Sequence, residues 1–186
     1  MRLFVALQIS EEIRESISEL IRELRPLNDS WKWTRAKNLH ITLKFLGEVA
    51  EHKVPSAVEI LRNIPAEFPI PLKFQSLGFF PNERRPRVLW VGMDNPQSLP
   101  KLATSIDESL AKLGVAREER DFSPHLTLAR CKEGKLSVTF CEAIAKHASR
   151  VFGEMNATSF HLFESTPKST GAEYTTIESF SGEPKS

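Results

Sequence analysis

The chain has 186 residues, enough for one domain with a good core or for two small lobes sharing a cleft. Its formal charge is +1, so it has no global field to draw in a polyanion, and an anionic partner must be met by a local patch. The two cysteines, Cys131 and Cys141, fit neither a disulfide framework nor a zinc-ligand spacing, and no run approaches the roughly 20 apolar residues of a membrane span.

Leu3 to Ile9 is a short apolar run that reads as a buried strand, too short for a signal peptide. Ser10 reads as an N-cap. Ile13, Ile17, Leu20, Ile21 and Leu24 then recur at helical spacing until Pro26 closes the pattern. Trp31–Thr34 reads as a short edge strand. The stretch from His40 to Gly47 is a longer strand, with Ile41, Leu43 and Phe45 expected on the core side and His40, Thr42 and Lys44 on the other. A helix is expected over Val54–Asn63. A hairpin follows, from the prolines at 69 and 71 through Leu72–Phe79, the basic loop Phe80–Pro86 and the strand Val88–Met93. Leu99–Leu113 is a helix stopped by Gly114, and His125–Arg130 is a strand. Phe140–Phe152 reads as a helix with Ile144, Ala148 and Val151 inward. The strands Asn156–Phe163 and Glu173–Phe180 follow, joined by a turn over Thr166–Gly171, and the tail after Ser181 is expected to fray.

The fold class is α+β. The expectation is a single bilobal domain over residues 1–186, built from two antiparallel sheets with helices on their outer faces and a cleft between polar inner faces. The two halves read as an internal duplication, because His-apolar-Thr-apolar occurs at His40–Leu43 and again 85 residues later at His125–Leu128. Chance places two such patterns among five histidines about once in a thousand sequences of ordinary composition.

A facing pair of histidines suits a reaction in which one proton leaves a nucleophile as another reaches a leaving group. In-line displacement at a phosphodiester puts those two oxygens on opposite sides of phosphorus. The hydroxyls of Thr42 and Thr127 can donate to the non-bridging oxygens, and neither a metal nor a cofactor is then required.

The pair His40-Ile41-Thr42-Leu43 and His125-Leu126-Thr127-Leu128 resembles the two HxTx motifs of the 2H phosphoesterase superfamily. The flanks Lys44-Phe45-Leu46-Gly47, Arg2–Leu7 and Val88–Gly92 resemble its RNA 2′,3′-cyclic phosphodiesterase branch, first described as 2′-5′ RNA ligase. The resemblance implies a bilobal 2H fold and opening of a 2′,3′-cyclic phosphate to a 2′-phosphomonoester. His40 would be the proton donor and His125 the proton acceptor, an assignment that the residues alone leave open. For some members it also implies reversible 2′-5′ ligation. The rival readings are a 2′-5′ oligonucleotide phosphodiesterase and a non-catalytic module that binds RNA ends.

Arg130 has the opposite strand parity to Thr127. Either a bulge turns it to the phosphate, as the resemblance favours, or it is a surface residue. Trp33, interleaved with Lys32 and Arg35, reads as a base-stacking platform or as a core side chain, and Trp31 as core. Arg84, Arg85 and Arg87 hold an RNA backbone or form a solvated loop. His147 and His161 read as surface residues. The expected partners are RNA ends or small cyclic nucleotides, with no membrane, for a cytoplasmic monomer.

Overall fold

The computed structural model describes residues 1–131, 135–169 and 171–182. Its strands are β1 (Arg2–Gln8), β2 (Lys32–Trp33), β3 (His40–Glu48), β4 (Ile70–Phe80), β5 (Val88–Asp94), β6 (His125–Arg130), β7 (Val151–Ala157), β8 (Ser159–Lys168) and β9 (Gly171–Ser181). Its α-helices are α1 (Glu11–Leu24), α2 (Val54–Arg62), α3 (Ser98–Ala111) and α4 (Val138–Lys146). The Ser10 hydroxyl accepts the Ile13 N–H at 3.3 Å and so caps α1, and Glu11 and Glu12 oppose the positive end of its dipole. Among the described residues no helix is long and apolar enough to cross a membrane.

The final helix is shorter than its sequence period suggests. It stops at Lys146, and Val151 and Phe152 open β7, the outer strand paired to β4. Val151 is therefore exposed rather than inward. Gly153 in β7 has φ +143°, and a Cβ there would lie 2.6 Å from Ile13 Cδ1, so the missing side chain lets α1 pack directly on this strand. The single strand expected from Asn156 to Phe163 is split between β7 and β8. The expected turn at Thr166–Gly171 is narrower, with β8 running to Lys168. Thr170 and the tail at residues 183–186 lie outside the described residues.

The strand order β7-β4-β5-β6-β3-β1-β8-β9 is two four-stranded antiparallel halves meeting at β6 and β3. The join is thin: its one ladder pair is Ile41 opposite Leu126. Beyond it, β2 takes over the free edge of β6, with Lys32 opposite Arg130 and Trp33 opposite Ala129. The sheet is curled, and one face packs on the helices in a core that includes Ile17, Leu20, Ile41, Leu126, Leu128, Ile106 and Phe140. Full burial of an aliphatic side chain of this kind contributes about 1.5–3 kcal/mol. The other face carries a small separate cluster of Phe4, Ala6 and Phe163, with Tyr174 packed against it. The two motif strands thus lie side by side on one curled surface, where the sequence suggested strands opposed across a gap.

The duplication is visible in the register. Gln8 pairs with His40 and Ala6 with Thr42 on one side; Gly92 pairs with His125 and Trp90 with Thr127 on the other. In both ladders the next residue is extra: Leu43 bulges between the pairs Ala6–Thr42 and Val5–Lys44, and Leu128 between Trp90–Thr127 and Leu89–Ala129. A bulge puts two residues against one and reverses the facing of everything after it.

That reversal corrects the reading of Lys44 and Phe45. Lys44 does not share the face of His40; it points into the core side and is 2% exposed, whereas Phe45 is turned out and 54% exposed. The Lys44 Nζ meets Asp107 Oδ1 of α3 at 2.7 Å, the Ala116 carbonyl at 2.6 Å and Glu118 Oε1 at 3.4 Å. Burial alone would raise the Asp107 carboxyl pKa. Hydrogen bonds from Lys44, the Glu118 N–H and Arg117 outweigh it and hold the group below the ordinary carboxylate value. Asp107→Ala is expected to lower the unfolding free energy by about 3 kcal/mol, since it strands a buried ammonium. Urea unfolding at neutral pH measures it, and a loss under 1 kcal/mol would show that Glu118 and the Ala116 carbonyl suffice.

Candidate active site

Antiparallel pairing at Ile41 and Leu126 fixes what surrounds it. One step along each strand, His40 falls opposite Thr127, and Thr42 falls opposite His125. The open face at the seam therefore carries both His-x-Thr pairs, one on each side of the Ile41–Leu126 bridge.

Each imidazole is pinned in the same way. His40 Nδ1 lies 2.7 Å from the Asn38 carbonyl and His125 Nδ1 lies 2.8 Å from the Ser123 carbonyl, in both cases two residues back. A carbonyl only accepts, so Nδ1 carries the hydrogen in each ring, and Nε2 is the nitrogen left for chemistry. His40 Nε2 is 3.0 Å from the Thr42 hydroxyl. The buried Asn38 is itself tied down, its side-chain amide donating to the Ala172 carbonyl at 2.8 Å.

Aromatic rings wall both sides. His40 sits 4.9 Å from Phe4 and edge-on to Tyr174 at 5.3 Å. His125 is edge-on to Phe80 at 4.9 Å, and Phe80 lies 5.2 Å from Trp90. Trp90 lies flat over Gly78, where a Cβ would come within 2.2 Å of the indole. Desolvation by these surroundings is the main reason the imidazoles resist protonation, and it pushes His40 down to about 4. The Asn38 carbonyl acts the other way, and the charges of Arg130 and His125 add to the lowering. His125 is lowered by the same desolvation, opposed by the Ser123 carbonyl and assisted by Arg130. Burial raises the Tyr174 hydroxyl, while Arg130 and Arg2 pull it down.

Arg130 therefore acts on both histidines. The bulge at Leu128 turns it to their face, and its Nη2 lies 3.5 Å from the Thr127 hydroxyl, a long contact. Phe45 holds the matching position on the other motif strand. Trp33 is not brought to this group. It pairs with Ala129 on the core side, its ring is edge-on to Phe140 at 6.4 Å, and its Nε1 donates to the Asn28 carbonyl at 2.9 Å. Trp31 is core, as expected. His147 and His161 are buried, not surface residues: His147 Nε2 bonds Glu23 at 3.1 Å, and His161 is held between the Ser159 and Ser179 hydroxyls. Among the described residues no three His, Cys, Asp or Glu side chains converge as a metal site.

Two consecutive copies of the family model described as LigT like Phosphoesterase match residues 7–90 and 91–174. The chain belongs to this family. The two copies of the LigT-like unit correspond to the duplicated register around His40 and His125. A LigT-like relative, the RNA 2′,3′-cyclic phosphodiesterase of Archaeoglobus fulgidus, is 40% identical over 170 residues, spanning 90% of this chain and 94% of that one. A crystal structure from Thermus thermophilus superposes with a TM-score of 0.82 at 30% identity, covering 97% of both chains. That of Escherichia coli LigT complexed with 3′-AMP gives 0.79 at 28% identity, again covering 97% of both.

The open-face aromatics Phe4, Phe80, Trp90 and Tyr174 had no motif to mark them. Phe4 shares the parity of Arg2 and Ala6 in an otherwise apolar run, and Trp90 stands in a strand apolar on both faces, so neither sequence position betrays its side. Arg130→Met should raise the pKa of both His40 and His125, more at the site where its charge weighs more. Histidine titration by NMR reads this, with His40 of the parent near 4; unmoved values would place Arg130 outside the group.

Proposed function

We propose that this chain opens ribose 2′,3′-cyclic phosphates, at RNA ends or in small cyclic nucleotides, to 2′-phosphomonoesters. The observation that carries this reading is the seam: two imidazoles with Nδ1 pinned to backbone, each with a threonine two residues on, on strands bridged at Ile41 and Leu126. The named activity of the Archaeoglobus fulgidus relative supports the cyclic-phosphate substrate, and the 3′-AMP complex of Escherichia coli LigT supports a nucleotide-phosphate site.

His125 Nε2 takes a proton from the attacking water. The new P–O bond forms as the bond to the 3′ oxygen breaks, and His40 Nε2 gives that oxygen its proton. Thr42, Thr127 and Arg130 face the non-bridging oxygens, where charge builds up. With a 5′-hydroxyl in place of the water, His125 takes its proton, the bond to the 3′ oxygen breaks as His40 protonates that oxygen, and the product is a 2′-5′ diester, which is the ligation reading. Cleavage of that diester by the 3′-hydroxyl exchanges the two roles.

The donor must be protonated while the acceptor is neutral. Both imidazoles titrate below 6.5 in the free protein, His40 at about 4. Since kcat/KM reports the free enzyme, its pH profile should be bell-shaped with its maximum below pH 6.5 and a decline toward neutrality as the donor loses its proton. The anionic phosphate raises both values on binding, so the kcat profile should lie at higher pH.

Hydrolysis of a nucleoside 2′,3′-cyclic phosphate in EDTA tests the reading. His40→Ala and His125→Ala should each lose at least about 100-fold in kcat. Full activity in either variant would remove the acid–base pair. An inactive parent that still binds an RNA end would point to the binding module, and cleavage confined to 2′-5′ linked oligonucleotides to the other phosphodiesterase. A 3′-phosphate product would reverse the leaving group.

A further inference from the structure

The loop joining β4 to β5, Pro81–Arg87, begins where Phe80 covers His125 and ends where Val88 pairs with Arg130. It is stapled on both sides. The Arg87 N–H donates to the Phe80 carbonyl at 2.8 Å, and the Arg87 carbonyl accepts the Cys131 N–H at 2.9 Å. Inside it, Asn82 Oδ1 accepts the N–H groups of Arg84 and Arg85 at 3.0 and 3.2 Å, which fixes the backbone from which those side chains leave. Arg84, Arg85 and Arg87 are exposed. On the other side of β6, Lys32 pairs with Arg130 and is exposed too.

Among the described residues these five cations make no ion pair. Elsewhere Arg14, Lys37, Lys44, Arg62, Lys73, Arg117 and Lys168 each meet a carboxylate. Net of Glu83, the group holds four positive charges in a chain whose whole balance is +1. This cluster of positive charge borders the His125 side of the seam. Clustered cations beside the half-buried rings of Phe80 and Trp90 are a combination that holds a single strand, cations tracking the backbone while rings take bases.

We propose that the β4–β5 loop, with Arg84, Arg85 and Arg87, is the docking site for the sugar–phosphate backbone of a single-stranded RNA whose 3′ end lies at the His pair. This rests on the cyclic-phosphate reading above and narrows its substrate class. The substrate is a strand several nucleotides long, and the phosphates 5′ to the terminal nucleotide lie along the loop. A mononucleotide fills the seam and leaves the loop empty.

Two measurements on the full chain test it, comparing the parent with the triple variant Arg84→Ala/Arg85→Ala/Arg87→Ala and its Arg→Lys counterpart. The first is the affinity, by fluorescence anisotropy, for a 3′-phosphorylated RNA of about ten nucleotides. The alanine variant should bind at least about tenfold more weakly, and its log–log salt slope should fall by about 2, since each single-strand phosphate contact contributes about 0.7. The lysine variant should keep most of the slope. The second is hydrolysis of a nucleoside 2′,3′-cyclic phosphate and of the same RNA ending in a cyclic phosphate. The alanine variant's loss in kcat/KM on the RNA should exceed that on the mononucleotide about tenfold and lie in KM. Equal losses on both substrates, or an unchanged affinity and slope, would overturn the docking site. A parent that hydrolyses neither substrate would refute the catalytic reading, and the binding measurement would still decide the loop.

Discussion

A one-residue bulge after each motif threonine governs this structure. Without Leu43 and Leu128 as extra residues, strict alternation would place Lys44 beside His40 and send Arg130 into the core. With them, the polar pair of each strand is followed by two successive inward residues, and then by a side chain returned to the open face. The device lets one strand serve two masters. Its first part displays catalytic-type groups, and its second part is anchored through the sheet to the helices behind. For β3 the anchor is the ammonium of Lys44 on Asp107. The same cation holds Ala116 and Glu118, in the connection that leads into the second motif strand.

Electrostatics on the open face follow from the same geometry. Rings from β1, β4, β5 and β9 desolvate the imidazoles, and the single guanidinium admitted by the second bulge adds a like charge. Both effects disfavour protonation, so the resting pair is neutral near pH 7 and has two Nε2 lone pairs available. An anion arriving between them reverses the balance: it offers the counter-charge that burial withheld. The site thus holds its protons loosely when empty and more tightly when an anion is in place.

Much of this was legible in the sequence. The α+β order, the capped first helix and the strand character of both motifs follow from period and spacing, and the repeated pattern singles out His40, Thr42, His125 and Thr127 as candidates. The facing of Lys44, Phe45 and Arg130 did not, because a bulge is set by pairing with a neighbouring strand and leaves no trace in local alternation. Trp33 was open to two readings for a related reason: an indole beside Lys32 looks the same whether the residue faces base or core, and the pairing with Ala129 puts it against the core. The end of α4 was overrun because Ile144, Ala148 and Val151 keep a helical period, while β4 offers Val151 and Phe152 a ladder that period cannot express. His147 and His161 looked like surface residues because their partners, Glu23, Ser159 and Ser179, are supplied by tertiary contact.

On the open face, the twofold likeness of the two motif strands fails after the bulge. Where β6 returns an arginine to the open face, β3 returns a phenylalanine. A perfectly duplicated cradle would treat the two apical oxygens of a bound phosphate alike and would have no preferred direction. Arg130 against Phe45 gives it one: a cation flanks one side and an apolar ring the other. If a phosphate ester is held here as proposed, this broken symmetry gives the site two unlike ends, one cationic and one apolar.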